Sequence, residues 1–297
     1  MRLHYSVHIS FLLICIWITC FPKASDSASS FAESFGEHSK ATSNKPSGGH
    51  TKQVILFDLM NVIIKENQAG FTKKIGYGNI ASYTLTHWKH PGYRCLDMLN
   101  AMSKHETQKP HIHITLKKRI MPRCLIELQE GKKTALQAKD EILKTIEILD
   151  QEKHFNSTKE KMLMINIMNT ILDPTITACM IEPIKSTIQL AQKLKSAGHS
   201  IYIFANAPNE LYTTIQKKYP DIINLFDGVI ISSEVKAVKP SVTIFNHALT
   251  THNFTPHNCI LIDDLQETVD AAQKIGMKAF VYDKNISKKL KQCGIKI

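Results

Sequence analysis

Asp58, Asn206, Lys239, Asp263 and Asp264 have side chains that would do useful chemistry if the fold brought them together. Asp58 follows the apolar run Val54-Ile-Leu-Phe57, Asn206 follows IYIFA, Lys239 comes shortly after VIISS, and the acidic pair follows CILI. Short apolar runs of this kind read as buried strands. In a parallel sheet ligands gather at the carboxyl ends of strands, so these residues would converge on one crevice. Carboxylate oxygens are the donors Mg²⁺ prefers, and a lysine among them balances their charge and holds an anionic substrate. The competing reading makes the Asp and Asn side chains helix caps and Lys239 a solvated loop charge. Recurrence of the pattern after four successive runs favours the crevice.

The elements around these residues are legible from periodicity. Pro183 is placed to start a helix, Ile184, Ile188, Ala191 and Leu194 recur at helical spacing, and Gly198 is placed to end it. Val242, Phe245 and Leu249 form a second stripe, and Val269, Ala272 and Ile275 before Gly276 form a third. Strand and helix therefore alternate from 183 to 282, which predicts an α/β fold with a parallel sheet covered on both faces. Residues 66–180 break the rhythm with helices and few strands, a helical insertion too long to be a loop. Thr134 with Gln137 and Ser157 with Glu160 read as capping boxes. Ile142, Leu143, Ile146 and Leu149 mark one apolar face, and 162–172, apolar nearly all round, reads as a central helix.

With these residues in place, the sequence resembles the haloacid dehalogenase-like hydrolase superfamily over about 54–64 and 181–283, the insertion lying where that family carries a helical cap. FDLMNVI is similar to the family's first motif, FDxDGV; IYIFANA resembles the second, SSEVKAVKPSVTIF the third, and ILIDDLQETVDAAQKIGMKAF the fourth. The resemblance implies a Rossmann-like core at 53–65 and 181–297 and a helical cap at 66–180. It implies Asp58 as the nucleophile that becomes an aspartyl-phosphate, and Asn206 and Lys239 as substrate-binding residues. It also implies Mg²⁺ held by Asp58, the main-chain carbonyl of Met60, and one or both of Asp263 and Asp264.

Several positions depart from that pattern. Met60 stands where the family's phosphatases place a second Asp as general acid and base, and a thioether carries no proton. A positioned acid or base contributes about 10²–10⁴ in rate. Ala205, beside Asn206, replaces a hydroxyl residue that contacts the phosphoryl group. Asn61 replaces a Gly, a milder change because Asn tolerates left-handed backbone. Leu265 and Thr268 stand where Ser and Asn are common. The resemblance therefore implies a Mg²⁺-dependent phosphatase weakened at acid catalysis, or a pseudoenzyme that binds a phosphorylated ligand or, through its cap, a protein partner. A dehalogenase needs a cationic halide cradle, usually Arg, and no Arg occurs between Asp58 and Arg94.

Composition sets the remaining bounds. The chain has 297 residues, 43% hydrophobic and 21% charged, enough to give about two domains a core each. Its net charge is +11, nearly all of it beyond residue 50. That raises affinity for anionic ligands, but no run of five basic residues or nucleic-acid signature accompanies it, which speaks against a dedicated nucleic-acid binder. Residues 1–26, with the apolar stretch Phe11–Phe21, read as a signal peptide for export to a periplasm or the exterior, or as an uncleaved membrane anchor. Residues 27–52 read as a flexible linker. Cleavage would leave Cys95, Cys124, Cys179, Cys259 and Cys293, an odd set that is no disulfide framework. His111 and His113 lack a third metal ligand nearby and read as surface histidines. Asn156, Asn253 and Asn285 open glycosylation-type triplets, which arise often by chance.

Overall fold

The computed structural model describes residues 52–87, 91–105, 115–116 and 119–297. The signal-peptide segment, nearly all of the linker, and His111 and His113 lie outside the described residues. Strand β1 (Val54–Phe57) ends at Asp58, and a tight turn leads into β2 (Ile64–Glu66). The turn passes through Asn61 at φ 56°, and the Ile63 and Ile64 amides both donate to the Leu59 carbonyl at 2.9 Å.

The chain next forms α1 (Gln68–Ile75), α2 (Tyr77–His87), α3 (Pro91–His105), the short strands β3 (Thr115–Leu116) and β4 (Arg119–Ile120), α4 (Arg123–Gln129), α5 (Ala135–Gln151), α6 (Thr158–Ile171) and α7 (Pro174–Cys179). Thr134 and Gln137 close a reciprocal capping box on α5, which buries Ala138, Ile142, Ile146 and Leu149. Ser157 accepts from the Glu160 amide, but the Glu160 carboxylate turns instead to Asn156 and Arg94, so only half of that box forms. Helix α6 is not buried all round: Leu163, Met164, Ile167 and Met168 are buried while the apolar Met162 is 56% exposed.

β5 (Ile181–Pro183) then pairs antiparallel with β2, Ile64 opposite Pro183, so the chain returns beside the point where it left. Pro183 thus closes a strand rather than opening a helix. Its missing amide is tolerated at the end of a two-stranded ribbon, and α8 (Lys185–Ser196) begins two residues later. There follow β6 (Ser200–Ala205), α9 (Asn209–Lys218), α10 (Pro220–Ile223), β7 (Gly228–Ile231), α11 (Ser232–Val235), α12 (Val242–Thr251), β8 (Cys259–Asp263), α13 (Gln266–Lys274), β9 (Lys278–Val281) and α14 (Ile286–Gln292). In α12 the buried stripe is Ile244, Phe245 and Ala248; Val242, expected on it, is the first helical residue and is exposed.

Five strands form one parallel sheet in the order β7-β6-β1-β8-β9, with Phe57 level with Ile203 on one side and Ile262 on the other. Alternate side chains enter two layers, as a twofold strand repeat requires. Ile55, Phe57, Ile201, Ile203, Ile260 and Ile262 join one cluster that runs on into the helical insertion, while Leu56, Phe204 and Leu261 pack with Phe245 and Val269 on the other face. Among the described residues, none of the five cysteines forms a disulfide. Among the described residues, no helix is long and apolar enough to cross a membrane.

The insertion docks on the core through α7, where Lys218 Nζ donates to the Ala178 carbonyl at 2.7 Å, and through a seam beside α4 and α5. Ser232 Oγ donates to the Gln129 carbonyl at 2.6 Å, Lys236 Nζ donates to the Gly131 carbonyl at 2.9 Å, and the Ala135 amide donates to Glu210 Oε1 at 3.1 Å. Gly131 has φ 62°, and a Cβ there would lie 2.6 Å from the Ser233 carbonyl oxygen. Gly198 also has positive φ, yet a Cβ there would meet nothing within 4 Å. Gly198→Ala should therefore cost only the left-handed penalty, about 1 kcal/mol. Gly131→Ala should add about 1–3 kcal/mol of overpacking at the seam. Urea midpoints of the two variants check this; equal losses would mean that the seam is not tightly packed.

Candidate active site

β1 is the middle strand, flanked on both sides by parallel neighbours, so the carboxyl ends of β6, β1 and β8 lie side by side. Asp58 directly follows β1, Asp263 is the last residue of β8 and Asp264 follows it, and Asn206 directly follows β6. Lys239 comes from the loop between α11 and α12 and reaches the middle of the sheet. Its Nζ donates to Asp58 Oδ1 at 2.8 Å, to Asp263 Oδ2 at 2.6 Å and to the Phe204 carbonyl at 2.7 Å. Three acceptors match the three protons of an ammonium group. The same Nζ lies 5.2 Å from the centre of the Phe204 ring, an added cation–π attraction.

This cluster is almost dry, with Asp58 4%, Lys239 3% and Asp263 1% exposed. Burial pushes the Asp58 carboxyl up to about 7; Lys239 pulls it down, and the neighbouring Asp263 adds to the rise. For Lys239 burial works to lower the pKa, but Asp263 and Asp58 together outweigh it and hold the ammonium protonated. Ion pairing, rather than solvation, keeps these charges in place.

Asn206 serves the cluster indirectly. Its Nδ2 donates to the Lys239 carbonyl at 2.9 Å and its Oδ1 accepts from the Lys239 amide at 2.8 Å. It clamps the main chain that carries the lysine. Asp264 Oδ2 accepts from Asn61 Nδ2 at 2.7 Å, which ties the turn after Asp58 to the end of β8. Asp263 Oδ1 accepts from the Leu265 amide at 2.9 Å, so one oxygen of that residue serves the turn into α13 while the other meets Lys239. Met60 is 1% exposed within the apolar cluster, and Ala205 and Ala207 are fully buried. No proton carrier stands at residue 60 and no hydroxyl at 205.

Ser232 escaped the sequence reading. Its Oγ accepts from the Ala207 amide at 2.9 Å and donates to Gln129, joining the loop after β6 to the insertion. No periodicity or strand-end rule marks such a serine, because its partners lie 25 and 103 residues away.

The donor set at the strand ends suits a hard cation. Asp58, Asp263 and Asp264 offer oxygen only, and Mg²⁺ characteristically takes one or two carboxylates and completes its shell with carbonyl oxygen and water. Among the described residues, no group of three or more His, Cys, Asp or Glu is arranged to hold a metal by side chains alone. Mg²⁺ would therefore rely on carboxylates together with a main-chain oxygen and water.

The family model described as haloacid dehalogenase-like hydrolase matches residues 118–282, more than half of the chain, and takes in Asn206, Lys239, Asp263 and Asp264. A sesquiterpene phosphatase of Aspergillus oryzae is 29% identical over 101 residues, 34% of this chain and 50% of the relative. The chain thus spans about half the length of that curated relative. Among solved structures, a HAD-family enzyme of Bacteroides thetaiotaomicron in complex with magnesium and inorganic phosphate is 15% identical, covering 78% of this chain and 95% of that one at a TM-score of 0.45. A HAD-like hydrolase of Porphyromonas gingivalis is 14% identical, covering 82% and 98% at a TM-score of 0.46. The chain belongs to the haloacid dehalogenase-like hydrolases.

Removing Lys239 would leave two buried carboxylates facing each other. Lys239→Met should destabilise the fold by about 3–5 kcal/mol. Adding Asp58→Asn to that variant should restore part of the loss, because one unpaired charge disappears. Denaturant unfolding of the single and double variants tests this, and strict additivity of the two substitutions would show that the residues are not coupled.

Proposed function

We propose that this haloacid dehalogenase-like hydrolase cleaves activated phosphate esters or acyl phosphates through an aspartyl-phosphate on Asp58, with Mg²⁺ as cofactor. The observation that carries the reading is the buried Lys239 ammonium bonded at once to Asp58 and Asp263. A scaffold that needed only stability gains little from such a pair, since an apolar replacement of equal volume is often as stable. The phosphatase name of the fungal relative points the same way.

In the first step an Asp58 oxygen forms a bond to phosphorus while the bond to the leaving group breaks, and the leaving group departs with the electron pair. Lys239 holds the Asp58 carboxylate in place and sets a positive charge beside the phosphoryl oxygens. Asn206 keeps the lysine main chain in register through its two hydrogen bonds. When bound, Mg²⁺ would neutralise charge on the phosphoryl group from the Asp58, Asp263 and Asp264 side. Met60 offers no proton to the departing oxygen, so the favoured substrates release a stable anion. In the second step water attacks phosphorus, the bond to Asp58 breaks, and the water proton passes to solvent or phosphate because residue 60 has no base. Asp58 is 4% exposed, so substrate entry requires its surroundings to open.

Met60 and Ala205, both buried and apolar, favour a second reading in which the site binds without turning over. Turnover of acetyl phosphate, p-nitrophenyl phosphate and glycerol 3-phosphate by parent, Asp58→Asn and Met60→Asp decides between them. The expected result is Mg²⁺-dependent hydrolysis of the first two by the parent, abolished by EDTA and by Asp58→Asn, with the alkyl ester slower. Met60→Asp should raise the alkyl ester rate by about 10²-fold, the contribution of a positioned acid. A silent parent that forms no phosphoenzyme, beside an active Met60→Asp, would overturn the enzyme reading and leave the binding one.

A further inference from the structure

At the opposite end of the sheet lies a cavity of about 410 Å³ among the starts of the strands. Gln53 immediately precedes β1, His199 immediately precedes β6, Lys278 opens β9, and Cys293 and Lys296 follow α14. In a parallel sheet these positions are as far from Asp58 as a strand is long. Gln53 and Asp58 stand five residues apart on an extended chain, about 17 Å.

Three observations give this cavity a chemistry. Lys52, Lys278 and Lys296 line it, no Asp or Glu does, and none of the three lysines is in an ion pair among the described residues. The nearest recorded acidic influence is that of Asp227 on Lys52, and Asp227 is already paired with Lys195 at 3.0 Å. Gln53 is 9% exposed, and its Oε1 is buried with no hydrogen-bond partner. Native proteins seldom leave such an oxygen unpaired unless a ligand or water completes it. Finally, the Gln53 amide donates to His199 Nδ1 at 3.2 Å, which leaves the proton of the neutral imidazole on Nε2 and sets the ring as a donor.

From these we infer that the cavity is a second ligand site, for a small phosphomonoester that carries hydroxyl groups. The lysines would take the anionic oxygens, and Gln53 Oε1, buried behind the lining, would take a hydroxyl proton once its side chain turns into the cavity. The volume falls within the range of small-molecule pockets, larger than inorganic phosphate needs. The inference does not depend on turnover at Asp58.

Cys293, exposed and on the cavity lining, reports on occupancy, and exposed Cys179 lies outside that lining and serves as reference. The alkylation rate of each thiol in the full chain, followed by peptide mass spectrometry, is measured with glucose 6-phosphate, glucose and inorganic phosphate. Glucose 6-phosphate should slow Cys293 at least tenfold at saturation and leave Cys179 unchanged. Glucose or inorganic phosphate should protect at least tenfold more weakly. Lys278→Gln and Gln53→Leu should each raise the half-protecting concentration at least tenfold, and Asp58→Asn should leave it unaltered. Absence of protection by glucose 6-phosphate, equal protection by inorganic phosphate, protection undiminished in Lys278→Gln, or its loss in Asp58→Asn would each overturn the inference.

Discussion

A lysine ammonium held out of water between two aspartates is the constraint to which the rest of this fold answers. Burying either sign alone would cost several kcal/mol after relaxation, so Lys239, Asp58 and Asp263 are stable there only as a set. The set in turn needs three strands in fixed register, because Asp58, Asp263 and the Phe204 carbonyl belong to or follow β1, β8 and β6. A one-residue slip of any strand would turn its acceptor away from the ammonium. The apolar alternation of Ile55, Leu56 and Phe57 and their neighbours holds that register from both faces.

The loop that carries the lysine and the turn after Asp58 are secured by side-chain amides. Asn206 bonds the Lys239 main chain at two points, and Asn61 bonds Asp264 while itself accepting a left-handed backbone. A rigid first shell of this kind suits electrostatic stabilisation, whose donors must be aimed before charge develops. The same rigidity would serve a binding module, and for that reason the chemical identity of residue 60 matters more than any distance in the cluster. The helical insertion touches the core through Ala178 and through a seam at Gln129, Gly131 and Ala135, and the fit of that seam depends on the small residue at 131.

Strand-end residues and helical stripes were readable because they follow from local periodicity. The five core strands, the capping box at Thr134, and the burial of Ile142, Ile146 and Leu149 all come from patterns within ten residues. Errors arose where a residue type has two local uses. Pro183 suits a helix start and a strand end equally, and only its pairing opposite Ile64 selects the strand. Val242 has the spacing of a core residue but sits at the first position of α12, where the helix has not yet turned inward. Glu160 has the spacing of a capping partner, yet Arg94, 66 residues away, draws its carboxylate elsewhere.

The sequence by itself determined the order of the five core strands along the chain, the candidates at Asp58, Asn206, Lys239, Asp263 and Asp264, and the chemical gaps at Met60 and Ala205. Each of these depends on residue type and near neighbours. Only the tertiary structure decided that Lys239 pairs with two carboxylates at once, that Asn206 clamps the main chain of the lysine, and that Gln53 and His199 meet at the far end of the sheet. Those contacts join residues 24 to 181 positions apart, and no local pattern encodes which of several polar groups a buried side chain will reach.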